Sequence, residues 1–73
     1  MPTWCAAYRL TRTSIALFQE PEGYIARPVD QNERIEFDAS ELSSIGRMLI
    51  EVQWQAELIL MFVSDLKSLA IPE

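Results

Sequence analysis

The chain has no histidine and a single cysteine among its 73 residues. Lacking histidine, it has neither the usual general base near neutral pH nor the commonest zinc ligand. One thiol, Cys5, cannot close an internal disulfide, so a disulfide-stapled secreted scaffold is excluded. With no imidazole to activate it, Cys5 reads as a buried, inert thiol rather than a cysteine–histidine nucleophile. Only two glycines occur, Gly23 and Gly46, and they form no phosphate-cradling loop. No serine sits in a nucleophile elbow, and Lys67 has only Ser64 and Ser68 as helical neighbours, a generic spacing.

Long apolar runs are scarce as well. The longest, Leu58 to Val63, is far short of a membrane span. The start of the chain, Met1-Pro2-Thr3-Trp4, lacks a basic stretch ahead of an apolar one, as a secretory signal would require. Bases are few: six lysines and arginines against 11 acids give a net charge of −5. That balance disfavours phosphate backbones and anionic lipid surfaces, so neither nucleic acid nor membrane is an expected partner. A basic protein partner is allowed, and the expected compartment is the cytoplasm.

What the chain does contain is apolar material, 49% of its residues. This is enough for one small globular domain, of a size at which burial is modest and oligomerisation common. The first half reads as strands over about residues 3–37. Trp4 to Leu10 and Ser14 to Gln19 are apolar-rich, and nothing between them decides whether they form two strands or one bent strand. Pro21-Glu22-Gly23 supplies turn chemistry, with proline at the corner and glycine free to take positive φ. Tyr24 to Val29 then returns as the second arm of a hairpin, where Pro28 argues for an edge position. Arg34-Ile35-Glu36-Phe37 alternates as a half-buried strand does.

The second half reads as one helix over about residues 38–70. Asp38 and Glu41 fit a capping box, Phe37 and Leu42 a hydrophobic staple. Leu42, Ile45, Leu49, Val52, Ala56, Ile59, Val63 and Leu66 keep a heptad register. Ile50, Trp54, Leu58 and Met61 form a second apolar stripe on nearly the opposite side. A helix of that length spans about 45 Å, more than the body of so small a chain, and both stripes need cover. The predicted fold is therefore α+β: three or four short antiparallel strands followed by one long C-terminal helix packed across the sheet. A second copy of the chain would cover the projecting helix.

The segment Ala16-Leu17-Phe18-Gln19-Glu20-Pro21-Glu22-Gly23-Tyr24-Ile25-Ala26, followed by a capped helix, resembles the hairpin-then-helix opening of small HicB-type antitoxins. The proline- and glycine-containing motif of that family is missing here, and the resemblance assigns no functional residue. Glu20, Glu22, Asp30, Glu33 and Glu36 match no calcium loop and read as solvated turn acids. Arg9, Arg12, Arg27 and Arg34 are expected to pair with acids across strands.

No catalytic, cofactor-binding or metal-binding residue is predicted, and no cofactor. The functional expectation is a non-enzymatic, dimeric protein-interaction module, an adaptor, regulator or inhibitor. Its candidate interaction surface is Ile50, Trp54, Leu58 and Met61. The alternative is a small-molecule-binding protein or enzyme whose pocket forms at the dimer interface, lined by Trp54, Met61 and sheet residues.

Overall fold

The computed structural model describes residues 5–43 and 46–73. The side chain of Cys5 and heptad position Ile45 lie outside the described residues. The described residues form a seven-stranded antiparallel sheet with one short α-helix, not a few strands capped by a long one. In chain order the elements are β1 (Cys5–Leu10), β2 (Ser14–Glu20), β3 (Gly23–Val29) and β4 (Arg34–Asp38). A 3-10 turn (Ala39–Ser43), β5 (Leu49–Trp54), β6 (Glu57–Phe62), α1 (Val63–Leu69) and β7 (Ala70–Pro72) follow. The strand order is β3-β2-β6-β5-β4-β1-β7.

This order has a simple origin. Cys5 pairs with Asp38 in the β1–β4 ladder. Nine residues on, Ser14 pairs with Val29, nine residues back along the returning arm, in the β2–β3 ladder. The two ladders are thus one long hairpin in constant register, turning at Pro21-Glu22 and bent in its middle. The bend runs through Thr11–Thr13 on one arm and Asp30–Glu33 on the other. It is held by Asn32 N–H donating to Leu10 O (2.8 Å) and Gln31 N–H to Thr13 Oγ1 (3.3 Å). The question of one strand or two before the first turn thus resolves as one bent arm in two pieces.

The β5–β6 hairpin fits into that bend. β6 lies along β2, with Leu60 opposite Leu17, and β5 lies along β4, with Gln53 opposite Glu36. Because β1 and β2 belong to one arm, the sheet rolls back on itself. The extents of 31 × 26 × 24 Å are those of a rolled body rather than a flat layer.

Strand alternation decides which side chains enter the roll. Even positions point inward on the first arm (Leu10, Ala16, Phe18) and odd ones on the second (Val29, Ile35, Phe37). Ile50 and Val52 enter from β5, Ile59 and Met61 from β6, and all are buried. Tyr8 stacks on Phe37 at 4.3 Å between ring centroids. Phe18 meets Trp54 edge-on at 5.5 Å, the offset geometry that aromatic quadrupoles favour. Val63 and Leu66 of α1 close one mouth of the roll. Asp65 accepts a hydrogen bond from the buried Ser14 hydroxyl (3.1 Å) and so ties α1 to the bend.

β7 fastens the end of the sheet. Arg9 and Arg34 stand directly opposite each other on β1 and β4, a repulsive placement. The Glu73 carboxylate resolves it by bonding both guanidinium groups, at 2.6 Å to Arg9 and 2.8 Å to Arg34.

Several readings of the second half are corrected here. Asp38 does cap, accepting the Ser40 N–H at 3.0 Å, but the turn it starts is a 3-10 segment of five residues. Leu42 packs against the core, as a staple residue would. Gly46, which falls within the expected helix, lies outside regular structure at φ 82, a left-handed backbone that ends helices. From Leu49 the chain alternates with period two through a tight hairpin. The helical stretch begins only at Val63 and has seven residues. It stops at Leu69, close to the end of the expected helix at about residue 70. A helix of about 45 Å would have outrun a body 31 Å long, so the overhang that called for a second copy does not exist. The helix of the HicB-like resemblance is absent too, although its hairpin is present.

Gln55 opens the two-residue turn between Trp54 and Glu57 at φ 56, where glycine is the favoured residue. Left-handed backbone costs an ordinary residue about 1–2 kcal/mol, against roughly 0.5–1 kcal/mol of extra chain entropy for glycine. Gln55→Gly should therefore stabilise the protein by roughly 0.5 kcal/mol. Urea unfolding measures it, and a clear loss of stability would contradict the turn geometry.

Candidate functional site

The outer surface of the roll is apolar where three strands meet. The residues between the inward-facing ones on β2 are Ile15, Leu17 and Gln19, and opposite them on β3 stand Pro28, Ala26 and Tyr24. Leu60 lies across from Leu17 on the other side, flanked along β6 by Leu58 and Phe62. Three aligned rows result, each crossing β3, β2 and β6. Among the large apolar side chains of these rows, Ile15 (45% exposed), Tyr24 (56%) and Leu58 (62%) are open to solvent. Gln19, Tyr24, Glu51, Leu58 and Leu60 line a shallow depression at one end. At the other end Met48 is exposed beside Phe62.

Single exposed leucines or isoleucines are ordinary on a protein surface, whereas a contiguous patch marks an interaction site. β2 and β6 are apolar on both faces because Ile15-Ala16-Leu17-Phe18 and Leu58 to Val63 run without a polar residue. A strand with a clean alternation has one wet face; a continuous run leaves none. Acids border the patch. Glu51 faces Leu60 across the β5–β6 ladder, and Glu57 and Glu22 are exposed close in sequence to Leu58 and Tyr24.

The four residues of the expected stripe do not share this surface. Ile50 and Met61 are cross-strand neighbours inside the core, at most 1% exposed. Trp54 is half-buried on the inner side, its indole N–H donating to Glu33 Oε1 at 2.8 Å. Leu58 alone lies on the outer face. The neighbours that complete the face, Ile15, Leu17, Tyr24 and Leu60, were absent from the expected surface. The signal that could have found them is the pair of uninterrupted apolar runs, read as strands.

The polar groups are engaged structurally. Arg27 pairs with Glu20 across the β2–β3 ladder (3.7 Å), as expected, whereas Arg34 pairs with Glu36 of its own strand (3.2 Å). Ser64, Lys67 and Ser68 are exposed on α1. Among the described residues no group of three acids or thiols could hold a metal ion. Every buried side-chain nitrogen or oxygen among them has a hydrogen-bond partner. No helix among them is long and apolar enough to cross a membrane. No family model matches the chain, and no curated protein or solved structure matches it.

The two sides of β6 should respond differently to truncation. Met61→Ala should cost about 2–5 kcal/mol of unfolding free energy, the usual range for emptying a core site. Leu58→Ser should change it by less than about 1 kcal/mol, as surface substitutions do. Equal losses in urea unfolding would show that the inner and outer assignment is wrong.

Proposed function

We propose that the protein is a non-enzymatic interaction module that docks a protein partner on the outer face of β2, β3 and β6. The observation that carries this reading is the contiguous apolar face around Ile15, Leu17, Tyr24, Leu58 and Leu60, left in water by a chain whose core is already filled. Exposing it forgoes about 25 cal/mol for each Å² that a partner would cover. A single tyrosine at one corner adds an amphipathic ring of the kind enriched at recognition surfaces.

The chemistry of the rim specifies the partner further. Glu51 lines the depression with Tyr24 and Leu58, Glu22 lies with Tyr24 at the hairpin turn, and the whole chain is acidic. The fitting partner offers an apolar patch of its own with lysine or arginine around it. Rim charges of this kind steer the encounter and set specificity more than they add affinity.

A photo-crosslinking residue placed at Leu58 tests the reading in the native host. It should trap a protein partner, while the same residue at the exposed polar position Gln31 should not. The trapped complex should be lost when Tyr24→Asp is added and should weaken with salt. Identical crosslinks from both positions, or none at Leu58, would reject the outer face as a docking surface.

A further inference from the structure

The two ends of the sheet are chemically unlike. In an antiparallel ladder, alternate residues bond to the neighbouring strand and the rest point their N–H and C=O the other way. Pro28 fixes the phase on β3. It has no N–H to donate, so its pairing with Ile15 is of the non-hydrogen-bonded kind. Ile25 and Arg27 therefore bond to β2, and Tyr24, Ala26 and Pro28 turn their backbone groups to the free edge. The bond from Leu10 N–H to Glu33 O confirms the same phase beyond the bend. This edge offers two donors, the N–H groups of Tyr24 and Ala26, and three acceptors.

The β7 end offers no donor along its strand. Glu73 N–H donates to Ala7 O, and Thr11 N–H to Leu69 O at 2.7 Å, which places Ile71 in the bonded phase opposite Arg9. The outward positions of β7 are then Ala70 and Pro72. The Ala70 N–H is committed to Leu66 O as the cap of α1, and proline has none. One edge of the sheet is sealed and the other is open.

We propose that the open edge of β3 pairs with β3 of a second copy, antiparallel, about a twofold axis through Ile25. Going beyond the outer-face reading, this pairing uses the edge of β3 and not its face. In this register Tyr24 stands opposite the partner's Ala26, and Ala26 opposite the partner's Tyr24. Both N–H groups of each edge find a carbonyl, giving four hydrogen bonds, and the missing donor of Pro28 is not needed. Ile25 is 44% exposed although it points to the inner side. It meets the partner's Ile25 on the axis and is covered.

Charge supports the same register. The turn that leads into β3 carries Glu22, and the middle of β3 carries Arg27, whose side chain stays 54% exposed beside Glu20 of β2. Antiparallel pairing lays Arg27 against the partner's Gly23, next to the partner's Glu22. Sliding the axis to Ala26 keeps the number of bonds but sets Glu22 against the partner's Asp30 and Arg27 against Ile25. The Ile25-centred register is the complementary one. It also sets the two outer apolar faces side by side as one doubled surface.

The test is disulfide trapping in a Cys5→Ser background, with the full chain at micromolar concentration. At a non-hydrogen-bonded pair on the axis the two Cα atoms lie about 4.5 Å apart, within reach of a disulfide. Ile25→Cys should oxidise to a covalent dimer in high yield. Arg27→Cys, held roughly 13 Å from its symmetry mate, should remain monomeric. Equal yields from the two, no dimer from Ile25→Cys, or efficient trapping through Ala26→Cys instead would overturn the proposal. Sedimentation provides the second arm. Ile25→Lys, which sets like charges face to face, should raise the dimer dissociation constant by roughly tenfold with its circular dichroism melt unchanged. A parent chain that sediments as a monomer at every concentration overturns the proposal as well. None of these outcomes depends on the crosslink from Leu58, so the two readings stand or fall apart.

Discussion

Everything in this fold depends on one hairpin keeping its register through a bend. From Cys5–Asp38 to Glu20–Gly23 the pairing gains and loses no residue. The inward-facing set therefore stays inward on both sides of the bend, with Leu10 before it and Ala16 after it. A slip of a single residue in either half would turn that half's apolar set toward water. The bend lets the two halves present opposite arms, β4 to β5 and β2 to β6, so that a short second hairpin completes the roll. The threonine hydroxyls do part of this work. Thr13 Oγ1 takes an N–H from the other arm, and Thr11 Oγ1 donates to the last carbonyl of α1 (2.8 Å).

The same arrangement explains why the outer face is apolar. A chain of 73 residues has little material for a second layer. The one α-helix among the described residues is spent on one mouth of the roll. β2 and β6 lie next to each other, and each carries apolar residues at every position of its central run. The inner halves of those runs fill the core, and the outer halves have no layer to cover them. The acids around them add like-charge repulsion between molecules.

The first half of the chain was legible because its local chemistry is explicit. Pro21 and Gly23 mark the turn, and Gly23 does adopt positive φ, at 133. Pro28 marks an edge, and β3 is one. Asp38 marks a capped turn. The second half was not legible because its turn is silent. Gln55-Ala56 contains no glycine, asparagine or proline, although Gln55 takes the left-handed backbone that such residues serve. Without that break, inward positions of two strands fell into a helical rhythm. Val52, Ile59, Val63 and Leu66 satisfy the heptad and are all buried, yet they come from β5, β6 and α1. Ala56, the central heptad position, is an exposed turn residue. The candidate surface inherited that error. A wheel drawn through Ile50, Trp54, Leu58 and Met61 joins three inward-pointing side chains to one that points out. The β-branched and aromatic content of Ile50, Val52, Trp54, Ile59, Phe62 and Val63 was the physical cue in favour of strands.

The short strap of β7 also decides how far this molecule can grow. It lies along the edge of β1, where Ile71 stands opposite Arg9 and the Glu73 N–H donates to Ala7 O, backbone groups that would otherwise face solvent. With β7 in place, β3 is the one edge among the described strands with free backbone donors, and the proposed edge-to-edge addition would end with a closed pair. Stripped of Ala70–Glu73, the same body would carry two different adhesive edges at opposite ends of its sheet, the condition for head-to-tail chains without limit. On the proposed pairing, the four residues of this strap would separate a finite particle from a fibre.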